Sequence, residues 1–390
     1  MKDEYAAESL CDQPILAICY DFDKTLTPKD MQAQGYIQTV YDNDAETFWK
    51  ESNALASEHN MDQNLAYMYK MIQESRGREI FTPKKLREYG ENIELYKGLP
   101  EWFDIVNEFG LKNGVVIEHY VISSGLKEII EGSVLSKYFK EIYASQYFSN
   151  DKGECVWPAQ VVNYTNKTQF LFRISKGYLN VNDERVNKKV DKGAIRIPFN
   201  NIVYIGDSET DIPCMKIVKE KGGHSIGVYE ADNPSRVARI VDLYTDNRIS
   251  FFADADYSIE SDLAKYVFKI IESTKNNYDI MQLENTNAQF IEEYRNKYIQ
   301  NSKDYAKDKL IDSLENSSSF AMTHMIIAEI QQYNEWSEDQ IVRLCRAGVY
   351  NSQIFWILND RDVKNFYQSL SLDSISDANV EKIKNELYNL

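Results

Sequence analysis

Two aspartates separated by one residue, Asp21 and Asp23, follow directly on the apolar run Ile15-Leu16-Ala17-Ile18-Cys19-Tyr20. Carboxylates so placed can act as nucleophile, exchange protons or ligate a hard cation. A short apolar run that ends in acids reads as a buried parallel strand opening into a polar site. In open α/β sheets, ligands sit beyond the carboxyl ends of such strands. Two buried carboxylates this close need a positive partner, and Mg²⁺, which prefers oxygen ligands, suits the pair.

Three later segments have matching chemistry. Tyr120-Val121-Ile122-Ser123-Ser124-Gly125 reads as a second strand, ending in hydroxyls and a glycine before the helical-looking Leu126-Lys127-Glu128-Ile129-Ile130. Such a turn offers hydroxyl and backbone N–H donors to an anion, with a helix dipole behind them. Asn166-Lys167-Thr168 opens another helical pattern, and Lys167 could neutralise a phosphoryl oxygen. Ile202-Val203-Tyr204-Ile205-Gly206-Asp207-Ser208-Glu209-Thr210-Asp211 is again strand, glycine, then acids. There Gly206 is expected to permit a tight turn. Asp207 is placed to reach a metal, and Asp211 to hold either the lysine or a metal-bound water.

Together the four segments resemble the four motifs of the haloacid dehalogenase superfamily of phosphatases, in a layout most similar to its phosphoserine-phosphatase-like branch. The matches are Asp21-x-Asp23-x-Thr25, Ser123 after its apolar run, Lys167, and Gly206-Asp207-x-x-x-Asp211. The resemblance covers roughly residues 12 to 270. It implies that Asp21 is the nucleophile that forms an aspartyl-phosphate and that Asp23 is acid and then base. It further implies Mg²⁺ on Asp21, the Asp23 carbonyl and Asp207. Ser123, Ser124, Gly125 and Lys167 would bind the phosphoryl group, with Asp211 in support. An acid at position 23 distinguishes the chain from relatives that stop at a long-lived phosphoenzyme. Phosphoserine phosphatases hold their amino acid with a glutamate near the ninth place after the nucleophile and a cap arginine. Here that place is Asp30, which departs from the pattern, and the candidate cap cations are Arg76, Arg78 and Arg87.

These residues must be carried by a fold, and the patterning predicts one: a Rossmann-like parallel α/β core (1–27 and 98–275). A helical cap (28–97) is inserted after the first strand, a β-hairpin insert follows the second motif, and an all-helical extension (276–390) closes the chain. In the cap, Glu46 to Trp49 and Asn64 to Ile72 have helical apolar spacing, which assigns Tyr67, Met68 and Met71 to cap core. Thr82-Pro83 starts a further helix. Glu141–Phe148 and Cys155–Trp157 flank a turn at 149–153, a hairpin expected to project near the site. Ser225–Tyr229 and Asp256–Ile259 are candidate further strands. In the tail, Phe290, Tyr294 and Tyr298 continue a helical period. A polar break at 316–319 precedes another amphipathic helix, and Ser337 with Gln340 forms a capping box.

Composition bounds the function classes. Of 390 residues, 61 are acidic and 44 are Lys or Arg, giving a net charge of −17. Such a surface repels nucleic-acid backbones and anionic membranes, so neither is expected as a partner. Five scattered cysteines without a CxxC pair argue against zinc and disulfide frameworks, and Cys19 and Cys214 are expected in the core. No N-terminal apolar segment or long apolar span stands out, so a cytoplasmic location is expected. The expected substrate is a small phosphorylated metabolite. A phosphotransferase would share every one of these residues. A second class also stays open, an interaction or regulatory protein acting through the tail, as a homodimer or with a protein partner.

Overall fold

The computed structural model describes residues 13–42, 44–76, 81–190, 192–295 and 303–388. Cys11, Arg78 and Tyr298 therefore lie outside the described residues. The chain divides into two compact units, Met1–Ile280 and Met281–Leu390.

The first unit is built on a seven-stranded sheet of order β4-β3-β2-β1-β5-β6-β7. The strands are β1 (Ile15–Tyr20), β2 (Val116–Leu126), β3 (Phe139–Ser149), β4 (Cys155–Gln160), β5 (Ile202–Gly206), β6 (His224–Tyr229) and β7 (Phe251–Asp254). Every pair is parallel except β3–β4. Both faces of β1 are buried, as its unbroken apolar run requires. Leu16, Ile18 and Tyr20 enter one apolar cluster and Ala17 and Cys19 the other. From β1 the chain builds outward through β2 and β3, then returns to lay β5 on the other flank of β1. Strand order thus reverses between β1 and β5, the place where open α/β sheets form their crevice.

Between β1 and β2 run α1 (Tyr36–Val40), α2 (Ala45–His59), α3 (Gln63–Glu74), α4 (Pro83–Gly90) and α5 (Glu101–Lys112). Asp44, Asp62 and Thr82 cap α2, α3 and α4 through their side-chain oxygens. Phe48, Tyr67, Met68, Met71 and Leu86 from these helices join the same apolar cluster as Leu16 and Ile18, so the inserted helices share the core of one sheet face. Next come α6 (Lys127–Gly132), α7 (Lys167–Lys176), α8 (Ile212–Glu220), α9 (Pro234–Thr245) and α10 (Asp262–Tyr294).

Two expectations need correction. The stretch Asp256–Ile259 is not a strand; the seventh strand is Phe251–Asp254. Asp256 instead accepts from the Ser258 N–H at 2.8 Å and pairs with Lys97, while Tyr257 turns inward to donate to the Thr25 carbonyl. The β3–β4 hairpin forms, with residues 151–154 at its tip exposed, and its strands rest on the inserted segment: Tyr147 donates to the Met68 carbonyl and Cys155 N–H to the Phe81 carbonyl. Lastly, helix α6 begins at Lys127, two residues beyond Gly125, and is only six residues long.

The second unit is helical: α11 (Lys303–Glu315), α12 (Phe320–Ile330), α13 (Glu338–Tyr350), α14 (Ser352–Phe355), α15 (Arg361–Ser369) and α16 (Ala378–Tyr388). Its own apolar cluster includes Ile311, Ile327, Leu344, Phe366, Tyr367 and Ile383. The Ser337–Gln340 capping box is formed as the spacing predicts. His324 on α12 bridges to Asp362 at 2.7 Å and Asp360 at 3.4 Å, clipping α12 to the start of α15. No helix among the described residues is long and apolar enough to cross a membrane.

Candidate active site

The carboxyl ends of β1, β2 and β5 meet at one cavity of about 620 Å³. Register brings them together. Tyr20 stands beside Val121 of β2 and Ile205 of β5, and the Asp21 N–H continues the ladder onto the Ile205 carbonyl at 2.9 Å. Asp21, Asp23, Ser123, Ser124, Gly125 and Asp207 all line the cavity. Lys167, from the start of α7, is fully buried behind them, with Nζ 3.0 Å from Asp21 and 2.8 Å from Asp211.

Asp211 faces the lysine and is fully used. Its Oδ1 also accepts from Tyr204 Oη at 2.7 Å, and its Oδ2 from the Ser208 hydroxyl at 3.1 Å. Of the two roles open to it in sequence, the lysine-holding one matches this geometry. It also explains Gly206: a Cβ there would lie 2.7 Å from the Asp211 carboxyl carbon. The glycine is required by close approach rather than by a turn. Gly125 is similar, since a Cβ would meet Met31 Cε at 2.1 Å and Asp23 Oδ2 at 3.0 Å.

The electrostatics follow from burial. Desolvation and then repulsion from Asp211 and Asp21 push Asp207 well above the ordinary carboxylate range. Desolvation also raises Asp21, with Lys167 opposing it. Burial alone would favour a neutral Lys167, but Asp21 and Asp211 outweigh it and hold the ammonium charged. Asp23 is raised by desolvation and by the Asp30 and Asp21 carboxylates, against one hydrogen bond from the Met31 N–H at 2.7 Å. Carboxylate oxygens of Asp21, Asp207 and Asp211 come within 4.8 Å of one another, a buried acidic group able to hold a metal ion. Asp211 is already satisfied through both oxygens, whereas Asp21 and Asp207 have only Oδ1 engaged by a side chain, by Lys167 and Thr25, and could offer Oδ2 to a cation. Hard oxygen donors under mutual repulsion fit a divalent cation.

The other residues divide. Ser123 is buried, and its Oγ accepts from the Gly125 N–H at 3.0 Å. The Leu126 N–H is occupied by Met31 Sδ, so neither of these amides is free for an anion. Asp30 does not reach outward but pairs with Lys24 at 2.7 Å. Lys24 itself sits in the left-handed region at φ 60°. Arg87 pairs with Glu131, and neither it nor Arg76 lines the cavity.

Several lining residues were not singled out for chemistry in the sequence: Gln32, Trp49, Asn64, Asn163 and Arg239. Tyr67, read there as core alone, lines the cavity too. Trp49 and Tyr67 were visible only as helical apolar positions. Nothing in spacing tells which such face covers a site.

Fold and site together define a hydrolase with an acid cluster at the switch point of a parallel sheet. The family model for haloacid dehalogenase-like hydrolase matches residues 18–216, just over half of the chain, and the chain belongs to this family. A relative from Borreliella burgdorferi, described as an uncharacterized protein, is 26% identical over 293 residues, covering 66% of this chain and 96% of its own. Among solved structures, a HAD family hydrolase from Salmonella enterica is 17% identical with a TM-score of 0.43, covering 66% of this chain and 72% of that one. A substrate-bound phosphoserine phosphatase complex is 15% identical with a TM-score of 0.42, covering 65% and 99%.

Proposed function

We propose that the protein hydrolyses a phosphate monoester of a small metabolite through an aspartyl-phosphate. The observation that carries this reading is the buried set Asp21–Lys167–Asp211 beside Asp207, at the carboxyl ends of β1 and β5. Asp21 Oδ attacks phosphorus as the bond to the ester oxygen breaks. Asp23 delivers its proton to that departing oxygen, which leaves as an alcohol. Its raised proton affinity suits an acid at neutral pH. The carboxylate of Asp23 then takes a proton from water as the water oxygen bonds to phosphorus and releases Asp21. Ser123 Oγ and Lys167 Nζ would meet the charge that builds on the phosphoryl oxygens. Mg²⁺ would be held by Asp21, Asp207 and the Asp23 carbonyl, and when bound it offsets repulsion between carboxylate and phosphate.

The deciding measurement is phosphate release from a panel of phosphomonoesters with Mg²⁺ or with excess chelator, wild type beside Asp21→Asn. Turnover that survives the substitution in a folded protein would sink the mechanism.

A further inference from the structure

The ammonium of Lys167 carries three N–H donors. One goes to Asp21 Oδ1 and one to Asp211 Oδ1, which leaves the third for a phosphoryl oxygen. How far the ammonium leans toward phosphate depends on how strongly Asp211 draws it back. Asp211 Oδ1, which takes Lys167 at 2.8 Å, also accepts from Tyr204 Oη at 2.7 Å. The two donors share one oxygen. Each draws off part of its negative charge and so weakens the Coulomb pull on the other.

Tyr204 lies inside β5, a strand buried along its whole length, where an apolar side chain is the default. A buried tyrosine hydroxyl needs a partner. This one has Asp211, with the Cys214 thiol as a further polar neighbour. Burial pushes the phenol well above its ordinary range, so its proton stays on oxygen and is donated. The ring is fully buried in an apolar cluster. That cluster also takes Phe170 of α7, the helix Lys167 opens, and Cys214 and Met215 of α8, the helix that follows Asp211. Ser208 donates to Asp211 as well, but to Oδ2, through its hydroxyl at 3.1 Å and its N–H at 3.3 Å. Tyr204 is thus the donor placed on the lysine's own oxygen.

We infer that Tyr204 is a positioning residue for phosphoryl transfer: by holding Asp211 Oδ1 it sets where the Lys167 ammonium stands between Asp211 and the phosphoryl group. The inference rests on the phosphatase reading above. Tyr204 does not line the cavity and acts through Asp211 and Lys167. Without its hydroxyl, Asp211 Oδ1 keeps the lysine alone and draws it away from phosphate. The ammonium counts most where charge accumulates, in the transition state, so its displacement is felt in kcat rather than in KM.

The test uses the full chain with Mg²⁺ and the variant Tyr204→Phe. The variant keeps the ring and leaves Asp211 paired with Lys167, so no charge is stranded and circular dichroism should show it folded. With p-nitrophenyl phosphate and with the best alkyl ester, kcat should fall by about tenfold while KM changes by less than about threefold. That loss is smaller than the roughly 10²–10³-fold expected when a donor to the reacting oxygen itself is removed. Orthovanadate, whose five-coordinate form imitates the transition state, should inhibit about tenfold more weakly, and inorganic phosphate should weaken by less than about threefold. A kcat equal to wild type overturns the role. So does a parallel weakening of KM, phosphate and vanadate, which marks a loosened fold. Failure of the wild-type protein to release phosphate from any ester, the aryl one included, instead overturns the phosphatase reading and this role with it.

Discussion

The hydroxyl of Tyr67 donates to the main-chain carbonyl of Ser124 across 2.8 Å, joining helix α3 of the inserted segment to the end of strand β2 that carries Ser123. That carbonyl also accepts from Ser145 Oγ at 3.2 Å, so it stays satisfied if Tyr67 is lost. Tyr67→Phe should therefore cost only about 0.5–1.5 kcal/mol in urea unfolding. Turnover should drop more for a full substrate than for p-nitrophenyl phosphate if the contact aligns the inserted segment, which lines the cavity through Trp49 and Tyr67, with the strand end that carries Ser123. Identical losses on both esters would make Tyr67 a purely structural tie.

Lys167 balances two carboxylates and is itself fully buried. Lys167→Met strands Asp211, and the expected destabilisation is about 3–5 kcal/mol. The double variant Lys167→Met/Asp211→Asn should recover a large part of that loss, since the uncompensated charge leaves with its partner. Urea unfolding of the single and double variants closes the cycle. Additive losses would show that the pair is not coupled. Both variants should lack turnover.

Asp23→Asn separates the two proton transfers. An alkyl ester, whose leaving oxygen needs a proton, should slow by roughly 10²–10⁴-fold. p-Nitrophenyl phosphate should suffer less in the first step, and acid quench should then trap phosphoenzyme. If both esters slow equally and no phosphoenzyme accumulates, Asp23 is not the acid.

The His324 clip makes the second unit sensitive to pH. The hydrogen bond to Asp362, together with the Asp362 and Asp360 charges, raises the imidazole above its ordinary value. A raised folded pKa means that this stabilisation is complete below about pH 6.5 and fades as pH rises through the folded value. Asp362 is lowered despite its partial desolvation, by His324 and by backbone N–H groups. Its contribution is present above about pH 3.9 and is lost as pH falls further. Protection factors of amides in α12 and α15, the intrinsic base-catalysed rate divided by the observed exchange rate, should accordingly be highest between these limits and fall toward pH 8. In His324→Gln the alkaline fall in protection should vanish. A wild-type protection factor that is constant from pH 6 to 8 would contradict the clip.

What the sequence disclosed follows from how locally each feature is encoded. Asp21, Ser123 and Asp207 were legible because an apolar strand that stops at a polar residue marks its own carboxyl end, and parallel strands align those ends. The lysine-holding role of Asp211 was one of two possibilities; the choice depends on Tyr204 and Ser208, whose geometry is set only on folding. The part of the cavity lined by Gln32 and Trp49 was not legible. Gln32 lies in a polar stretch and Trp49 in an amphipathic helix, and only tertiary packing turns both toward the cavity. Tyr257 and Ile259 alternate like a strand, yet Tyr257 is buried because its hydroxyl reaches Thr25, and Ile259 is left exposed. Alternation over so few residues does not separate a strand from a turn with one anchored side chain.

The left-handed backbone at Lys24 confines how this position can drift over generations. Valine or isoleucine there would meet severe steric cost at φ 60° and would also leave Asp30 without its cation. Glycine or asparagine would relax the backbone but surrender the ammonium. Arginine would keep the charge and carry the same conformational cost. Few single substitutions satisfy both demands, so descendants of this chain have a narrow corridor at residue 24. A change there would be expected to travel with a compensating change at residue 30.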